Sequence, residues 1–106
     1  MVTINQFREI ELRVARILDS RAHPNAQKLL VLTVDVGGVV KEIVAGIANF
    51  YAPGELVNKL IVIVDNLEPA TIRGVTSSGM LLAVQGEGTL SLIVPERPVA
   101  SGGVVT

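Results

Sequence analysis

Two β-branched apolar runs meet in the middle of this chain with only Gly37-Gly38 between them: LLVLTVDV at 29–36 and VVKEIVAGI at 39–47. Val, Ile and Thr suit a pleated, half-buried surface. A Gly-Gly pair between such runs predicts a two-residue hairpin, because both turn residues must take positive φ. A hairpin this long is a large part of a 106-residue chain. The rest must cover its faces.

The remaining segments offer strands for that purpose. ELRVARILDS (11–20) roughly alternates apolar and polar and reads as half-buried. LIVIVDNL (60–67) is apolar enough to be buried on both faces. GMLLAV (79–84) and LSLIVP (90–95) are further strands. His23-Pro24-Asn25-Ala26 predicts a turn, since a residue before Pro avoids the helical region and Asn favours turns. Thr3 and Gln6 can form a capping box that opens a short helix through Phe7 and Arg8. Ala52-Pro53-Gly54-Glu55-Leu56 predicts a turn or one helical turn. The stretch NLEPATIRGVTSSG (66–79) reads as a loop carrying one cation, Arg73. The Gly- and Ser-rich tail ERPVASGGVVT predicts a frayed end unless a partner chain orders it.

Residues 1–106 therefore form a single domain, and the class is all-β. Five main strands with a short helix between the third and fourth is the order of the OB-fold, a five-stranded Greek-key barrel. A short N-terminal helix and late C-terminal strands complete the expectation.

Composition narrows the chemistry. The chain has no Cys and one His, so thiolate metal sites, disulfides and cysteine nucleophiles are excluded. His23, beside Pro24, reads as a loop residue. The acids are scattered, and no pair shares an apolar neighbourhood that would split their pKa values. The glycine pairs lack the spacing and Lys of phosphate-cradling loops. The expectation is a binding or assembly module, not an enzyme, with no cofactor. No segment resembles a signal peptide or the eighteen or so apolar residues of a membrane span, so a cytoplasmic protein with no membrane partner is expected. Net charge is −1, which gives no global attraction to nucleic acid. Cations concentrate early, as Arg8, Arg13, Arg16, Arg21 and Lys28, so any basic patch is local and drawn largely from the first strand and its following loop.

Several motifs together carry a resemblance. ELRVARILDSRAHPNAQKLLVLTVDVG, then IVAGIANFYAPGEL, then NLEPATIRGVTSSGML resemble the tRNA-binding domain family. Its members include stand-alone structure-specific tRNA-binding proteins, C-terminal domains of many methionyl-tRNA synthetases and EMAP II-type domains. The resemblance runs from about Phe7 to Val84. It implies an OB-fold core over about 7–84, a homodimer with 85–106 as dimerisation extension, and tRNA as the ligand, free-standing or beside an aminoacyl-tRNA synthetase. Carried over residue by residue, it nominates Lys28, Asn66, Arg73, Ser77 and Met80; Lys59 joins them on charge grounds as a rim contact. The three aromatics, Phe7, Phe50 and Tyr51, lie outside the expected binding strands. Base stacking is therefore a poor source of affinity, and phosphate and sugar contacts that read shape remain. The chain departs from the family where basic residues are common around the Pro, having Glu68, Ala70 and Thr71 instead. That depletion favours an alternative, a CsaA-type dimeric chaperone that binds peptides on the same fold. A structural appendix that docks a synthetase is a third reading.

Overall fold

The computed structural model describes all 106 residues. The Thr3–Gln6 capping box forms with both of its bonds, at 2.8 and 3.1 Å, and starts helix α1 (Ile4–Phe7). Three long strands follow: β1 (Leu12–Ala22), β2 (Leu30–Val36) and β3 (Val39–Ala45). A 3₁₀ turn at Pro53–Glu55 separates them from β4 (Leu60–Val64). The helical turn thus falls between the third and fourth strands, where the sequence placed it.

The later chain is more broken than its apolar runs suggest. It forms β5 (Ala70–Ile72), β6 (Val75–Ser77), β7 (Met80–Leu81), β8 (Ala83–Gly86), β9 (Thr89–Leu92) and β10 (Val104–Val105). GMLLAV is split at Leu82, where Ile93 enters between the strands: Val62 N–H donates to Ile93 O at 3.1 Å and Ile93 N–H to Leu82 O at 2.9 Å. The stretch read as a loop is instead the hairpin β5–β6, paired from Ala70–Ser77 to Ile72–Val75.

The main sheet is antiparallel and curled, in the order β3-β2-β1-β4-β7, with β10 also on β1. A register shift between Ile17 and Asp19 marks a bulge in β1. Bulges bend a strand and increase its twist. The Gly37-Gly38 turn has φ of 62° and 95°, as the hairpin reading requires. At the free side of β3, Ser78 N–H donates to Glu42 O at 2.9 Å. That bond draws the segment after β6 onto the edge of the curled sheet.

The concave face holds the core. Ile17, Leu32, Ile43, Leu56, Ile61 and Ile63 are fully buried, each contributing roughly 1.5–3 kcal/mol by burial. β4 is buried on both faces from Ile61 to Val64. Leu92 belongs to the same core, so residues beyond 84 help close it.

The tail is not frayed. Gly102 N–H donates to Val14 O at 2.6 Å and Val14 N–H to Gly103 O at 2.9 Å. Ser101 Oγ holds Asp35 at 2.5 Å, and β10 pairs with β1. The chain orders its own end by crossing over the β2–β3 turn. Glycine at 102 makes this possible: its φ is +87°, and a Cβ there would lie 2.6 Å from the Gly37 Cα. Gly102→Ala is expected to unseat the strap and cost about 2 kcal/mol, read as a lower urea midpoint with early amide exchange at Val14.

Candidate nucleic-acid interface

β1 ends at Ala22 and the HPN turn begins at once. His23 lies in the loop, as the sequence suggested, but it is buried there, at 5% exposed. Asn25 N–H donates to its Nδ1 at 3.0 Å. The other ring nitrogen, Nε2, then carries the hydrogen and donates to Ile72 O at 2.9 Å. Asn25 Nδ2 donates to Arg73 O at 3.1 Å. The turn thus grips the tip of the β5–β6 hairpin by two consecutive carbonyls.

That tip is Arg73-Gly74, with φ of 52° and 90°. Two positive φ values in a two-residue connection define a type I′ turn, where Asn-Gly is the preferred pair. Arg73 therefore occupies a left-handed position that L side chains rarely adopt. The same HPNAQK segment carries Lys28, whose backbone is held by Ala48 N–H at 3.2 Å. Lys28 and Arg73, 45 positions apart in sequence, line one shallow groove of about 440 Å³ with Asn25, Ala26, Gln27 and Leu29. No carboxylate lines it.

Most other cations are occupied. Arg13 faces Asp65 at 3.6 Å and Glu11 at 3.7 Å and donates to Gly102 O. Arg21 pairs with Glu42 and Asp19, and Lys41 with Asp65. Arg16 donates to Asn58 O at 3.0 Å. The first-strand arginines expected to build a patch are thus tied to acids and carbonyls. Lys28 and Arg73 form no ion pair.

The other nominated residues lie apart from this groove. Asn66 accepts from Glu11 N–H at 2.9 Å and donates to Glu9 O at 2.8 Å, which pins the segment leading into β1. Ser77 is buried; its Oγ accepts from Val44 N–H at 2.9 Å and donates to Gly79 O at 3.0 Å. Met80 is 46% exposed and lines an apolar depression of about 300 Å³ with Leu67, Ala70, Ile72 and Leu81. Lys59 stands 5.6 Å over the Tyr51 ring, a cation–π arrangement. His23 and Asn25 were missed because nothing in HPNA announces a partner 48 or 49 residues away.

No three acids or histidines come together as a metal site, and no helix is long and apolar enough to cross a membrane. What converges is Lys28, on the HPN turn, and Arg73, at the hairpin tip, two cations without an acid partner in one groove.

Residues 12–103 match the family model described as "Putative tRNA binding domain", and the chain belongs to this tRNA-binding domain family. It is 44% identical over 104 residues to the methionine–tRNA ligase of Pyrococcus furiosus and 45% identical over 105 to that of Thermotoga maritima. These alignments take in 98% and 99% of this chain but 14% and 17% of those enzymes. The chain thus spans under a fifth of the synthetases that it matches. Among solved structures it resembles a MetRS-related protein from Pyrococcus horikoshii (TM-score 0.93, 31% identity, covering 100% of this chain and 98% of the other). It also resembles the CsaA chaperone of Picrophilus torridus (TM-score 0.92, 28% identity, 100% of both chains).

Ser77→Ala would leave the buried Val44 N–H without a partner. The expected cost is about 1–3 kcal/mol, measured as a lower melting temperature whether or not RNA is present.

Proposed function

We propose that this chain is a non-catalytic binder of folded tRNA, with Lys28 and Arg73 as its primary phosphate contacts. The observation that carries the reading is their convergence on one groove free of carboxylates, in a chain of net charge −1. Family membership supports tRNA as the ligand. Phosphate and sugar contacts read the shape of the RNA. Lys59 and Met80 supply rim contacts, while Asn66 and Ser77 serve by shaping the backbone beneath them. The curled sheet is then the OB-type, five-strand Greek-key core.

The protein works as a homodimer in the cytoplasm, free-standing or beside an aminoacyl-tRNA synthetase. An apolar groove of about 290 Å³ supports dimerisation; Ile4, Ile10 and Val104 line it and are exposed. It joins the N-terminal segment to the end of the 85–106 extension. Two copies double the phosphate contacts available to one tRNA.

The apolar depression around Leu67, Ile72 and Met80 favours a second reading, peptide binding of the CsaA kind. The likeness to CsaA structures over the whole chain supports it. Glu68 in that wall disfavours phosphate there.

A filter-binding titration separates the two. Folded tRNA is expected to bind at low salt and polyuridine to bind poorly. Affinity is expected to fall as salt rises, with a log–log slope of about −0.7 to −0.9 per phosphate contact. No tRNA binding at low salt would sink the first reading and direct the search to peptides. Arg73→Ala is expected to weaken tRNA binding roughly tenfold or more, in line with loss of a charge-assisted contact, at an unchanged melting temperature. An unchanged affinity would remove the groove as the site.

A further inference from the structure

The hairpin β5–β6 is built from two strands of three residues. A two-stranded hairpin is marginal on its own in water, and this one stands outside the main sheet. Its tip is nevertheless held in a left-handed conformation at Arg73, with φ of 52°. Strain of this kind persists only where surrounding groups impose it. The groups available are His23 on Ile72 O and Asn25 on Arg73 O.

Taking the groove as the phosphate site proposed above, we infer that His23 and Asn25 are positioning residues. They lock the hairpin tip so that the Arg73 guanidinium is preorganised beside Lys28 before RNA arrives. The physical benefit is entropic. A mobile tip would have to be ordered on binding, and ordering subtracts from affinity. The clamp performs that ordering during folding. His23 suits the role because its two nitrogens face opposite ways: Nδ1 accepts from the turn that carries Lys28, and Nε2 donates to the hairpin that carries Arg73. One buried ring thereby ties together the two backbone segments that carry the cations. Two further bonds stiffen the turn, from His23 N–H to Leu29 O at 3.1 Å and from Leu29 N–H to Ala26 O at 3.3 Å. The Asn25 side chain is exposed, so it can be cut back without opening the core.

The test is a double-mutant cycle on tRNA affinity with Asn25→Ala and Arg73→Ala, together with amide relaxation of Ile72, Arg73 and Gly74. Asn25→Ala alone is expected to weaken binding roughly three- to tenfold, and to add almost nothing once Arg73 is Ala. Its hairpin-tip amides should become more mobile on the nanosecond scale while the rest of the fold stays rigid. Equal losses in both backgrounds would mean that Asn25 touches RNA itself and would overturn the inference, as would no loss at all. Unchanged order at the tip overturns it whatever the RNA does. If the unmodified protein fails to bind tRNA, the functional reading is lost, and the relaxation measurement still decides whether the clamp orders the tip. His23→Gln, whose side-chain amide can still reach Ile72 O, is expected to bind tRNA better than His23→Ala; parity between them counts against the ring's role.

Discussion

An eleven-residue strand in the middle of a sheet must satisfy the backbone groups of both its edges, and β1 does so with three partners. β2 pairs with it from Arg16 to Ala22, β4 from Leu12 to Arg16, and β10 at Leu12 and Arg13. Unpaired buried N–H and C=O groups are too costly to leave, so the division of labour along β1 dictates where each partner can lie. The bulge after Ile17 is where the division changes. β4 stops pairing there, Asn58 N–H caps Ile17 O at 2.7 Å, and the strand turns toward the HPN segment. The curl of the sheet, the seat of the C-terminal strap and the position of His23 at the end of β1 all descend from this strand.

Charge pairing does for the surface what hydrogen bonding does for β1. Exposed ion pairs contribute little to stability, commonly below about 1 kcal/mol. Their effect here is to withdraw cations from the solvent-facing field. Arg13, Arg21 and Lys41 are each neutralised by an acid that reaches them from another strand or a neighbouring position. Lys28 and Arg73 are among the cations left without an acid partner, and they share one groove.

The long strands were readable in the sequence because their signals are local. The Gly37-Gly38 turn, the alternation in β1, the apolar run of β4 and the Thr3–Gln6 box each lie within one contiguous stretch. The β5–β6 hairpin was not readable. Its strands are too short to show a period, and Arg-Gly conceals a turn that Asn-Gly would announce. The strap was hidden because β10 has only two residues and its anchor is an absence, the missing side chains of Gly37 and Gly102. Of the site, Arg73 and Lys28 stood out through family resemblance, but their meeting in one groove depends on contacts between distant residues. The same distance explains His23, Asn66 and Ser77. Their burial or bonding is decided 33 to 57 residues away, where a sequence pattern carries no trace.

The pairing of Leu12 with Val105 also has an architectural consequence. It brings the entry and exit of this domain side by side at one pole, at the start of β1. The Lys28–Arg73 groove lies beyond the other end of that strand, past its bulge. The start of β1 and the end of the strap therefore share one pole of the sheet, and the two cations sit at the far end of the same strand.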